Sequence, residues 1–192
     1  MALSYSDIEV ELREISLRDR PQSLYDVSSK GTVPVIVTND NLVIDESLDI
    51  MAWSLNQNKN QTWLVDDSEI EFIKKHDIEF KKWLDRYKYH DRYPEHSKEY
   101  YRDKCNKILL QYEQKLSKAK YFIRDYISII DIAIFPFIRQ FANVDYKWFE
   151  NNYTYIKKWL EELSSSNLFV SIMNKYKTWD ESQIPNIVNF NK

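Results

Sequence analysis

The sequence predicts an α+β protein: a small mixed strand-and-helix region followed by an all-helical remainder. Three observations predict it. The hydrophobic period is two at residues 8–12 and helical beyond Ser68. Turn chemistry, Thr38-Asn39-Asp40-Asn41, sits between two short apolar runs, the mark of a β-hairpin. A polar, aperiodic stretch, NQNKNQ at 56–61, separates the two halves as a linker. The expected division is a first domain at 1–56, a linker at 57–67 and a helical domain at 68–192.

Taken in order, Ile8-Glu9-Val10-Glu11-Leu12 alternates as a half-buried strand does. Residues 21–30, PQSLYDVSSK, are turn-rich and can hold a short helix at most. Residues 33–37 and 42–44 are the arms of the hairpin. Ser47 is placed to cap a helix running to about Leu55, with Leu48, Met51 and Ala52 at helical spacing. Past Ser68, Ile73, Phe80, Trp83, Leu84 and Tyr87 form one stripe of a long amphipathic helix, and Pro94 breaks it. Tyr101, Cys105, Ile108, Leu109, Tyr112 and Leu116 form the stripe of a second. Residues 127–144 are apolar nearly all round, which predicts a helix buried on every side. Ser128 and Asp131 stand at capping-box spacing at its start. Two further helices are expected at about 154–164 and 168–176, then a tail rich in Asn, Pro and Trp.

Composition excludes several function classes. A formal net charge of −3 opposes a nucleic-acid or anionic-membrane surface, since both need a concentrated positive field. No window reaches the ~18 apolar residues of a membrane span. The first residues, MALSYSDIEVELRE, lack the basic-then-apolar order of a signal peptide, so a cytoplasmic protein is expected. The single glycine, Gly31, rules out glycine-rich phosphate loops, and the single cysteine, Cys105, rules out an internal disulfide or a CxxC pair. His76, His90 and His96 read as solvated helix histidines, and no metal site is expected.

The stretch GTVPVIVTNDNLVIDES, residues 31–47, carries the chemistry. A cis Val33–Pro34 bond would turn the main-chain groups of Val33 away from sheet pairing and leave them for an extended peptide. A trans proline on an edge strand is the other reading of that position. The free amides of a helix beginning at Ser47 form an anion site, and Glu46 beside it can hold an ammonium. Glu46-Ser47 taken alone reads better as a plain helix start. Together the groups suit a ligand with a short peptide backbone and an α-amino-acid head.

These residues resemble the thioredoxin-like half of the glutathione S-transferase family, in particular bacterial members close to the omega-like group. KGTVPVIVTNDNLVIDESLDIMAWSL at 30–55 looks like their third strand, fourth strand and third helix. SIIDIAIFPFIRQFANVD at 128–145 and YKTW at 176–179 look like their all-helical C-terminal domain. The resemblance implies that Val33, ahead of Pro34, pairs by backbone with the cysteinyl unit of glutathione, and that Glu46 and Ser47 hold its γ-glutamyl end. Arg20 stands where relatives carry a basic residue and would meet the glycyl carboxylate. Ser128 and Asp131 would be a structural capping box. Glutathione is then the co-substrate, an electrophilic small molecule its partner in conjugation, and a homodimer the expected assembly.

Against the family pattern, the chain as written lacks the first strand and most of the first helix, with residues 1–6 resembling that helix's end. The thiol-activating Cys, Ser or Tyr belongs to that part, so no catalytic residue is assigned and impaired turnover is expected. A start codon placed too late is the favoured account; a natural remnant, or a neighbouring chain or rearrangement filling the gap, are the others. A non-catalytic interaction module on the same fold is the alternative function. A glutaredoxin-like oxidoreductase is the weaker one, because Cys105 lies on a helix stripe.

Overall fold

The computed structural model of the chain describes residues 1–58, 63, 66–182 and 184–191. Part of the linker expected at 57–67 lies outside the described residues. Two compact units result: Met1–Thr62 with Asn167–Lys192, and Trp63–Ser166.

In the first unit, α1 (Ala2–Tyr5) ends where Asp7 takes φ 54, a left-handed conformation that aspartate tolerates better than most residues. β1 (Val10–Glu11) follows, then α2 (Gln22–Val27). β2 (Ile36–Val37) and β3 (Val43–Ile44) pair antiparallel, with Ile36 opposite Ile44 and Val37 opposite Val43. Their turn closes through Thr38 N–H to Leu42 O at 2.9 Å, with Asn41 at φ 62. α3 (Ser47–Gln57) packs on α1 and buries Ile50, Ser54 and Leu55.

The partner of β1 comes from the far end of the chain. β4 (Ile187–Val188) pairs with it antiparallel, Val10 opposite Val188 and Glu11 opposite Ile187. Leu12 N–H donates to Asn186 O at 2.8 Å, and Trp179 N–H to Glu14 O at 2.7 Å. The Arg13 guanidinium lies over the Trp179 ring, 4.7 Å from its centre. The strand departs from the irregular tail that the sequence suggests. A two-residue apolar pair is too short to show a period, so no local pattern marks it.

The second unit is built from helices, with no strand among its described residues. α4 (Asp67–Glu79) begins with a capping box: Glu69 N–H donates to Asp66 Oδ1 at 2.9 Å, and Asp66 N–H to Glu69 Oε2 at 3.3 Å. α5 (Lys81–Lys88) follows after the buried Phe80, so the single long helix expected here is two. A 3₁₀ turn at His90–Arg92 precedes α6 (Lys98–Leu116), capped by Ser97. α7 (Ile129–Val144) is the core helix, with Ile129, Ile130, Ile134, Ile138 and Ala142 fully enclosed. It is not buried on every side: Pro136 and Asn143, two turns apart, mark a thin exposed stripe. α8 (Tyr146–Asn152) is an addition to the expected helices, and its first turn is held by Asp145 Oδ1 accepting from Trp148 N–H at 3.0 Å. α9 (Tyr155–Ser165) is capped from another helix: Glu113 of α6 accepts from the amides of Thr154, Tyr155 and Ile156 at 2.7, 2.9 and 2.8 Å. α10 (Asn167–Val170) and the 3₁₀ turn Ser171–Met173 return the chain to the first unit. Among the described residues no helix is long and apolar enough to cross a membrane.

His76 corrects the reading of solvated histidines. It is 2% exposed, stacks on Phe80 with ring centres 4.8 Å apart, and bonds Tyr112 Oη through Nδ1 at 2.9 Å. Its position on α4 faces the core, on the same side as Ile73 and Phe80. Its Nε2 has no hydrogen-bond partner among the described residues. Burial, with Lys81 adding to it, pulls the imidazole pKa down from 6.5 to about 3. Folded His76 therefore stays neutral where the unfolded chain takes up a proton. Its stabilising effect is complete above pH 6.5 and is lost as pH falls toward 3. Urea unfolding from pH 6 to pH 4.5 should show the wild type losing roughly 1 kcal/mol per pH unit more than His76→Phe. Parallel pH curves would refute this.

Candidate functional site

The site residues of the first unit are organised around the one glycine. Residues 28–31 turn through Gly31 N–H to Ser28 O at 3.0 Å, and Gly31 takes φ 58. A β-carbon there would collide with Tyr25 Cε1, so both the backbone angle and the space demand glycine. The turn delivers the chain to Val33, and the Val33–Pro34 bond is cis. Val33 is 47% exposed, and its N–H and C=O make no hydrogen bond among the described residues. Pro34 is exposed as well.

The hairpin then returns the chain to Asp45, Glu46 and Ser47. Glu46, not Ser47, occupies the N-cap position of α3; its carbonyl accepts from Ile50 N–H at 2.9 Å. Ser47 is the first helical residue. Boundary positions shift by a residue because either side chain fits a helix start. Helix geometry leaves the first-turn amides, beginning with that of Ser47, without carbonyl partners, and the helix dipole makes this corner favour an anion. Glu46 and Ser47 are both exposed.

A network that the sequence did not announce joins these two segments. Lys30 Nζ donates to Asp45 Oδ1 at 3.0 Å and to Glu46 Oε1 at 2.5 Å. Ser28 Oγ donates to the other Asp45 oxygen at 2.7 Å. The Ser28 hydroxyl, then Lys30, hold the Asp45 carboxyl below the usual carboxylate range, and Glu46, then Asp45, push the Lys30 ammonium up. Sequence reasoning misses Lys30 and Ser28 because their partners lie about fifteen residues downstream, across a hairpin, where no local spacing pairs them.

Arg20 is exposed beside Pro21 and lies outside this network. Ser128 and Asp131 stand in the second unit at the start of α7, where they serve the fold. Cys105 is fully buried in α6 and burial pushes its thiol far up, so it offers no thiolate. Among the described residues no three His, Cys, Asp or Glu side chains are grouped to hold a metal.

Two family descriptions match the sequence: glutathione S-transferase, N-terminal domain, over residues 1–63, and glutathione S-transferase, C-terminal domain, over residues 76–167. A probable glutathione S-transferase GSTF1 of Oryza sativa subsp. japonica is 33% identical over 61 residues, 32% of this chain. The matching part spans only 28% of that relative's length. The fold is similar to that of BphK, a bacterial GST solved as a ternary complex, at 19% identity and TM-score 0.72 over 88% of each chain. It is equally similar to a sphingomonad glutathione S-transferase complexed with glutathione, at 16% identity, TM-score 0.72 and 88% of each chain.

Gly31→Ala should lower unfolding free energy by about 2 kcal/mol, from the left-handed backbone and the Tyr25 clash together. In a Tyr25→Ala background the same change should cost only about 1 kcal/mol, the backbone part. Equal costs in both backgrounds, by urea titration, would show that the ring contact is unimportant.

Proposed function

Because the chain belongs to the glutathione S-transferase family, we propose that its first unit binds glutathione at the corner between Val33 and α3. The main-chain groups of Val33, next to Pro34, pair with the cysteinyl unit as an added strand would. Ser47 and the free amides of α3 receive the γ-glutamyl carboxylate, and Glu46 its ammonium. Arg20 meets the glycyl carboxylate. The observation that supports this reading most is the joint exposure of unpaired Val33 main chain and the Glu46–Ser47 helix start, tied to one turn through Lys30.

The reaction is conjugation to an electrophilic small molecule. The glutathione thiol gives its proton to solvent, its sulfur bonds the electrophilic carbon, and the leaving group departs with the bonding pair. The reading assigns no side chain of this chain to stabilise the thiolate, so conjugation by these 192 residues is slow. The working assembly is a two-fold homodimer.

A second reading, a non-catalytic interaction module on the same fold, is favoured by the apolar hairpin. Val37 and Val43 on its two short strands, and Leu42 just before the second, are each 40% or more exposed.

Glutathione separates the two. At a hundred times its Kd it should add about 2.7 kcal/mol to the stability of the native protein, read as a rise in Tm. Glu46→Ala should weaken binding about tenfold or more, the loss of one charge-assisted hydrogen bond. No rise in Tm at millimolar glutathione would leave the interaction module as the better account.

A further inference from the structure

Lys30 projects from the residue before Gly31, so the constrained turn that fixes Gly31 also fixes where this ammonium starts. It reaches across to the start of α3 and sits 2.5 Å from Glu46 Oε1 and 3.0 Å from Asp45 Oδ1. Those are contact distances at which the amino group of a ligand would itself bind Glu46. Asp45 is held in place from behind by the Ser28 hydroxyl, so the carboxylate pair stays where the ammonium meets it.

Resting on the glutathione reading above, we propose that Lys30 is a specificity-determining residue of this site: it occupies the Asp45–Glu46 carboxylate pair and competes with the amino group of the incoming ligand. The Lys30 side chain is 47% exposed, and the Glu46 side chain 62%. An exposed pair of this kind is weak enough for a ligand to displace, and the long stem lets the ammonium swing into water. With Lys30 in place one positive and two negative charges leave the trio at −1. Without it the ligand's amino group meets −2. A unit charge a few ångströms away in a water-like dielectric changes the binding of another by roughly threefold to fivefold. Lys30 thus lowers the site's preference for ligands that carry an amino group over otherwise identical ligands that do not.

The test compares glutathione with its des-amino analogue, glutaryl-cysteinyl-glycine, by isothermal titration calorimetry at one ionic strength. Wild type, Lys30→Met and Lys30→Arg are each titrated with both. The preference for glutathione, taken as the ratio of the two Kd values, should rise about threefold to fivefold in Lys30→Met and stay at the wild-type value in Lys30→Arg. The unliganded variants should melt with the wild type. An unchanged or smaller ratio in Lys30→Met overturns the proposal while leaving the glutathione reading intact. Equal weakening of both ligands with a lowered Tm gives Lys30 a structural role and overturns it too. If neither ligand binds the wild type, the glutathione reading fails and this proposal falls with it.

Discussion

Asp131 is the constraint on which the helical unit rests. Its carboxylate is fully enclosed and accepts four hydrogen bonds. Ser128 N–H and Oγ–H donate to one oxygen at 3.0 and 2.9 Å; Phe122 N–H and Trp159 Nε1–H donate to the other at 3.3 and 2.9 Å. Burial pushes its pKa up while these donors pull it back. One residue therefore starts α7, anchors the segment leading into it and fixes α9 through Trp159. The aromatic layer follows from that placement: Phe122 and Phe135 both meet the Trp159 ring edge-on, at 5.4 and 6.0 Å. Leaving any of these donors unpaired in the interior would be destabilising, so the carboxylate specifies the arrangement as well as supporting it.

The first unit is organised differently. Its strands are two residues long, and its candidate site is held by a turn, a hairpin and an exposed ion trio. Solvent-exposed ion pairs contribute little to folding. Their effect here is on charge: they set what potential the start of α3 presents to a ligand. Stability and recognition are thus divided between a buried carboxylate in one unit and exposed carboxylates in the other.

What can be read from residues alone is whatever depends on local order. The α+β class, the hairpin around Thr38-Asn41, the helix near Ser47 and the stripe from Tyr101 to Leu116 all follow from period and turn chemistry, and the fold carries each of them. What cannot be read involves distant partners. The strand at Ile187 exists only because β1 offers an edge. Glu113 gives no local sign that it caps a helix some forty residues on. His76 reads as solvated because its neighbours are charged, yet it faces the core. At the candidate site, Val33, Pro34, Glu46 and Ser47 stand out by sequence, whereas Lys30 and Ser28 gain their roles only when the hairpin folds back.

The pairing of β1 with β4 also bears on the order of events at the ribosome. Residues 63–166 form a continuous stretch with their own core and can close as soon as they emerge. The first unit cannot complete itself then, although most of it is synthesised earlier, because Val188 must first leave the exit tunnel to meet Val10. Until it does, the nascent chain carries an open strand edge ahead of an already folded helical body, the interval in which a chaperone has most to shield.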